Sequence, residues 1–466
     1  MVFSSTFFVY FFFPLVFILY NVIPSKFWNI FLLSVSLLFY AWGEPFFIFV
    51  MLGSILLNFV SGLLISRFEG KIFYRRIVFI VGVCLNISLL FYFKYFNFFV
   101  ENLKGIFNFN INFEKVILPI GISFFTFQAL SYIIDLYFGK IKVQKSFIDL
   151  ALYISLFPQL IAGPIVRYKS IENQLKKRNI NIYKTSYGLR RFVAGLTKKV
   201  FFANVLGETA DKIFALNITD YSQMTAWLGI LCYTFQIYYD FSGYSDMAIG
   251  LGRMFGFRFV ENFNYPYISR SITEFWRRWH ISLSTWFRDY VYIPLGGNRK
   301  GKYRTYVNLI IVFILTGFWH GAAWNFIIWG MYYGVFLIFE KVFFNFSKTK
   351  KFGFWNIYTF FIVINGWVLF RSPDLNYALD FLKKLYFNFN SDLIIYDFEY
   401  FFNKRVMIFL SLAFLFCTPI VKNTLKKINK FKFIFYVERF VYVILVFLNL
   451  IFVGASTYNP FIYFRF

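Results

Sequence analysis

Apolar residues run through this chain in long stretches broken by short polar or basic loops. The stretches fall near 3–20, 27–41, 45–66, 77–100, 117–139, 147–165, 187–205, 224–251, 307–320, 322–343, 354–370, 406–421 and 437–457. A hydrocarbon core about 30 Å thick takes about 20 residues of helix, and a helix satisfies its own backbone polar groups there. Each stretch is therefore expected to be helical. Several are short or interrupted, so the expectation is about eleven true spans plus re-entrant and interfacial helices. The first run has no basic region before it and no small-residue cleavage site after it, which reads as a retained span and not a signal peptide.

Composition turns that pattern into an all-α polytopic membrane protein. Hydrophobic residues make up 59%, aromatics 26% and charged residues 15%, with a mean hydropathy of +0.60. The formal charge of +26 would suit nucleic acid in a polar chain. In one this apolar, the basic residues are expected in cytoplasmic loops that orient the helices, and no nucleic-acid partner is expected. Placing the basic clusters around Arg67–Arg76, Lys140–Lys145, Arg270–Arg304, Lys348–Lys351 and Lys422–Lys432 inside sends both termini outside. That parity holds only if 147–165 re-enters instead of crossing, and irregular backbone at membrane depth implies a lined cavity. Cys84, Cys232 and Cys417 lie in separate apolar runs without metal-ligand spacing. No phosphate loop or dinucleotide fingerprint appears, so neither a metal nor a tightly bound cofactor is expected.

Candidate chemistry concentrates on His320, one of only two histidines, inside the run Phe318-Trp319-His320-Gly321. An ionisable imidazole at membrane depth is costly and marks a functional site by default; the bland alternative is a buried histidine bonded to a carbonyl. The second histidine, His280, sits in the basic, aromatic segment Asn262–Gly301. One helix from Ser271 to about Tyr290 would carry Phe275, Trp276, Trp279, Leu283, Trp286 and Phe287 as an anchoring surface. Arg277 and Arg278 would then meet either lipid headgroups or the phosphates of a cytoplasmic donor. His280 itself reads as structural or pathway-lining.

Two carboxylates, Asp240 and Asp246, fall in the run Tyr239-Asp240-Phe241-Ser242-Gly243-Tyr244-Ser245-Asp246 and need partners. Either they hold helices together through arginines of the neighbouring amphipathic segment, or they act directly. The run Phe157-Pro158-Gln159-Leu160-Ile161-Ala162-Gly163-Pro164 suits a re-entrant element.

Four segments, FPQLIAGPIVRY, YYDFSGYSDMAIGLGRMFGF, NFNYPYISRSITEFWRRWHISLSTWFRDYVYIPLGG and LTGFWHGAAWNFIIWG, resemble in this order the bacterial membrane-bound O-acyltransferases of the alginate and peptidoglycan O-acetylating type. The similarity extends from Phe39-Tyr40-Ala41-Trp42-Gly43 to the last residue. It implies one transmembrane domain over residues 1–466, a ring of tilted helices around a funnel or tunnel, with His320 at the narrow point and His280 at the less strictly required histidine position. Residues 459–466, NPFIYFRF, resemble the aromatic C-terminal motif that this branch uses as an acyl relay, which would make Tyr463 the acyl acceptor. An interfacial aromatic belt is the alternative.

The resemblance implies acetyl-CoA as donor, entering from the basic cytoplasmic face of a bacterial inner membrane. It implies His320 as general base, with Trp319 and Asn325 near the tunnel and Asn325 as a possible oxyanion donor. The acceptor would be a cell-envelope polysaccharide, reached through an extracytoplasmic esterase-like transferase of the SGNH type, because this chain has no nucleophile-elbow motif. Its Phe, Ile, Lys, Asn and Tyr usage favours peptidoglycan over alginate or another exopolysaccharide. A polysaccharide or lipid transporter would need paired half-length repeats, which are not found. A membrane scaffold would leave Trp319-His320-Gly321 unexplained.

Overall fold

The computed structural model describes residues 2–107, 113–344, 353–387, 395–428, 432–455 and 458–462. Among them helix predominates, and the one strand-like pairing is an isolated bridge between Tyr221 and Tyr396. Every apolar stretch read from the sequence carries helix. Five described helices are long and apolar enough to cross a membrane: Ser25–Gly43, Ile48–Arg67, Ile72–Phe107, Trp324–Phe343 and Tyr436–Ala455. A sixth results if Lys404–Phe416 and Ile420–Ile428, bent by 67° at their junction, count together. This measure falls short of the expected eleven because other apolar helices, such as Phe8–Val22 and Ile122–Tyr137, are shorter.

The chain divides into two compact units. The first comprises residues 1–192 and 247–260. At its centre lies Ile122–Tyr137, a helix buried along nearly its whole length. Asn58 and Asn86 exchange amide hydrogen bonds of 3.0 Å across the helices Ile48–Arg67 and Ile72–Leu90. Such polar pairs join helices where the hydrophobic effect cannot, since lipid is as apolar as Leu. The helix Phe147–Ser155 has nine residues, about 14 Å of rise against a core of about 30 Å, so it cannot cross alone. It breaks before Phe157–Leu160, whose residues are all buried, and the Phe157 N–H donates to Ser36 Oγ at 3.1 Å.

The second unit comprises residues 193–246 and 261–466. Its core includes Tyr233, Tyr239, Phe275, Trp279, Trp329, Tyr333 and Trp367. The helices Gly301–His320 and Trp324–Phe343 form a tight hairpin. Gly317 faces the Phe326 carbonyl and Gly330 the Phe313 carbonyl, each too close for any side chain. Glycine at such crossings lets backbones approach and make dispersion contact along their length. Gly321 is extended, φ −165°, so His320 is the last residue of its helix and stands at the hairpin's turn.

The segment expected as one helix from Ser271 to Tyr290 is two: Ile272–Arg278 and Ile281–Phe287. Trp279 is extended and His280 is left-handed at φ 43°, a conformation that stops helical hydrogen bonding. The first piece starts on Ser271, whose Oγ accepts from the Glu274 N–H at 3.0 Å. The expected anchoring surface is instead protein core: Phe275, Trp276, Trp279, Leu283, Trp286 and Phe287 are all buried.

Candidate active site

His320 is 5% exposed and enclosed by aromatic rings. Trp319, Trp329 and Phe370 lie with ring centroids 5.0, 5.1 and 5.1 Å from the imidazole, all near perpendicular to it. Edge-to-face packing of this kind fixes the ring's plane. Trp329 is held on the second helix of the same hairpin, and Phe370 by the helix Phe354–Arg371.

His280 joins this cluster through Trp319, whose ring lies 5.9 Å away, and packs edge-on against Phe241 at 4.5 Å. Its Nδ1 meets Asn262 Oδ1 at 3.2 Å. The same oxygen accepts from the Ser282 N–H at 3.1 Å and the Ser282 hydroxyl at 2.9 Å, while Asn262 Nδ2 donates to Ser245 Oγ. With Oδ1 as acceptor, Nδ1 carries the proton of the neutral imidazole and Nε2 the lone pair. The two histidines therefore share one aromatic wall.

Asp240, the neighbour of Phe241, is paired with Lys199 at 2.7 Å, both side chains 2% exposed. Asp240 Oδ2 also accepts the Ile462 N–H at 2.8 Å, and Lys199 Nζ donates to the Pro460 carbonyl. Phe461 and Ile462 are buried, and Phe461 packs on Tyr244 with centroids 5.0 Å apart. Upstream, Asn204 Nδ2 donates to the Tyr458 carbonyl at 3.1 Å, and the Tyr458 hydroxyl to Asp211 Oδ2 at 2.6 Å. Asp211 also pairs with Arg371 at 2.9 Å. Phe370 and Arg371, consecutive residues of one helix, thus touch His320 and the anchor of the C-terminal segment respectively.

Of the residues singled out from sequence, His320, His280 and Trp319 come together, while Asp240 is taken up by Lys199 and the Ile462 N–H. Asp246 does not join them: it pairs with Lys198 at 2.7 Å in a more exposed position. The arginines expected to hold the two aspartates are replaced by these consecutive lysines, because Arg278 is committed to Glu274 at 2.8 Å and to the Asn264 carbonyl, and Arg277 is exposed. Asn325 donates to the Ser372 carbonyl at 2.8 Å and lies toward the Leu369 carbonyl at 3.5 Å, which ties the hairpin to the end of Phe354–Arg371. That gives the amide a positioning task. Tyr463 lies outside the described residues, immediately beyond Ile462. Lys199, Asn262, Trp329 and Phe370 were not singled out. A lysine inside the apolar run 187–205 was the one available signal, by the same reasoning that marked the aspartates. Among the described residues no three His, Cys, Asp or Glu side chains gather as a metal site.

Comparison with known proteins places these residues in a family context. The profile of the MBOAT, membrane-bound O-acyltransferase family matches residues 139–371, which contain both histidines and Asp240. The probable alginate O-acetylase AlgI of Pseudomonas putida is 46% identical over 384 residues, 81% of this chain and 79% of that protein. The peptidoglycan O-acetyltransferase of Helicobacter pylori is 38% identical over 422 residues, 82% and 79% of the two chains. The teichoic acid D-alanyltransferase of Bacillus subtilis is 30% identical over 285 residues, 57% of this chain and 71% of that one.

Proposed function

The chain belongs to the membrane-bound O-acyltransferase family, and from that premise we propose that it carries acetyl groups across the bacterial inner membrane for O-acetylation of a cell-envelope polysaccharide. It is an acyltransferase of polytopic membrane type. In this proposal about eleven spans surround a passage that admits acetyl-CoA from the cytoplasm. Arg277, exposed on the basic segment, would meet the donor's phosphates.

The observation that carries the reading is the enclosure of His320 beside His280 within the family's matched region. The neutral His320 imidazole takes the proton of an acceptor hydroxyl as its oxygen attacks the thioester carbonyl. The carbon–sulfur bond breaks, and the imidazolium returns the proton to the departing thiolate. Aromatic walls exclude water, so hydrolysis of the thioester does not compete. The acceptor we propose is the Tyr463 phenol, whose ordinary pKa near 10 calls for such a base. The aryl acetate is activated enough to pass its acetyl group to the serine of an extracytoplasmic esterase-like partner, which acylates the polymer.

Peptidoglycan is our first polymer. The alternative is alginate or another exopolysaccharide, favoured by 46% against 38% identity to the two classes of relative. The test is base-labile acetate, measured separately in wall and exopolysaccharide fractions from cells carrying wild-type or His320→Ala protein. Loss in one fraction with normal membrane insertion identifies the polymer. Unchanged acetate in both, or unexported polymer accumulating inside, sinks the acyltransferase role proposed for His320.

A further inference from the structure

The pairs Lys198–Asp246 and Lys199–Asp240 use consecutive lysines but differ in setting. The first has side chains 29% and 11% exposed; the second is 2% exposed on both sides. A buried ion pair recovers its desolvation only when its remaining donor and acceptor capacity is also used. Here that capacity goes to the chain's own end: Lys199 Nζ to the carbonyl of Pro460 and Asp240 Oδ2 to the N–H of Ile462. Both groups gripped are main chain. Between them the Phe461 side chain packs on Tyr244.

We propose that Lys199 and Asp240 form a main-chain latch that docks residues 460–462, the segment that leads into Tyr463. They are positioning residues, since they touch the backbone of the segment and not a reacting atom. Because the latch reads a carbonyl and an N–H two residues apart, the side chain at 462 matters little and its N–H a great deal. The purpose of the latch rests on the relay reading above; the docking itself does not.

The test uses the full-length membrane protein with Tyr244→Cys and Phe461→Cys, Cys84 being replaced by Ser, and a short bifunctional thiol cross-linker. Cross-linking is expected with Lys199 and Asp240 intact and with Ile462→Val. It is expected to fall about tenfold in Ile462→Pro, which removes the N–H that Asp240 accepts, and in Asp240→Asn and Lys199→Met. Cross-linking that persists in Ile462→Pro and Asp240→Asn, or that never forms with the pair intact, overturns the latch. Polymer acetylation, read in the same single variants without the added cysteines, is expected to fall about tenfold in Ile462→Pro and stay near normal in Ile462→Val. If Tyr463→Phe leaves acetylation intact, the relay fails while the cross-link still decides the docking. If Tyr463→Phe is inactive but Ile462→Pro is released and fully active, the latch has no positioning role.

Discussion

Gly330 lies against the carbonyl of Phe313 so closely that a β-carbon there would overlap its oxygen, and this contact sets the spacing of the hairpin that ends in His320. One helical turn beyond Phe313 on the partner helix, Gly317 makes the matching contact with the Phe326 carbonyl. Backbone on both sides leaves no flexible side chain to yield. The spacing of the two helices is therefore fixed by the absence of atoms, and the imidazole plane follows from it through Trp329.

Gly330→Ala is expected to destabilise the protein by about 1–3 kcal/mol, the usual range for overpacking. Its cost in acyl transfer should be larger, about 10²-fold, since displacement of a reacting group by about 1 Å has that effect. Gly53→Ala is the control, because nothing lies within 4 Å of a β-carbon at that position. Thermal unfolding and acetyl transfer of the two variants in detergent check the contrast; equal behaviour would mean that the hairpin spacing is soft.

Glu340, on the same hairpin, gives a second prediction. Its carboxylate accepts from the Ile272 and Thr273 N–H groups at 2.5 and 3.2 Å and from the Thr273 hydroxyl at 3.3 Å, capping the short helix Ile272–Arg278 from outside. Glu340 is 2% exposed, so truncation leaves donors that water cannot reach. Glu340→Ala should cost about 3 kcal/mol, and Glu340→Gln, which keeps one acceptor oxygen, distinctly less. A ranking of unfolding temperatures with both variants equal would remove the cap from the account.

These relationships mark where the sequence was legible. An imidazole in an apolar run is conspicuous because it is expensive, so the burial of His320 was readable, as was that of Asp240 and Asp246. Their partners were not. Arg277 and Arg278 were plausible claimants on charge alone, and only folding shows Arg278 spent on Glu274 and Lys199 buried beside Asp240. The break at His280 was hidden because the aromatic spacing from Phe275 to Phe287 fits one helix as well as two pieces. What accompanies it is a main-chain bond that spacing does not reveal, from the Ile281 N–H to the carbonyl of Asn262 at 2.9 Å. Fold class followed from hydropathy, whereas span count did not, since short buried helices such as Phe147–Ser155 are as apolar as crossing ones.

Glu274 carries a pH-dependent part of the stability. Burial pushes its carboxyl up, but the Arg270 N–H and the Arg278 and Arg270 guanidiniums outweigh that and hold it below its ordinary value of 4.5. A depressed carboxyl contributes in full above its unfolded pKa and loses the contribution as pH falls through the folded value. The unfolding temperature of wild type minus that of Glu274→Gln should be constant above about pH 5.5 and shrink as pH drops below about 4.5. A gap that widens on acidification would reverse the assignment.

Asn262 tests what His280 is for. Its Oδ1 collects Nδ1 of the imidazole and both donors of Ser282, so Asn262→Ala strands three buried groups at once. If His280 serves by orientation, through the Trp319 wall it shares with His320, then Asn262→Ala and His280→Ala act on one property. Each should lower acetyl transfer by about tenfold, and the double variant should be little worse than either, a coupling of about 1 kcal/mol or more. His320→Ala alone should cost 10² to 10⁴-fold, about the range for a lost general base. Additive losses from Asn262→Ala and His280→Ala would separate the two residues. A loss in His280→Ala as deep as in His320→Ala would move His280 from positioning to proton transfer, with the lone pair on Nε2 as the atom responsible.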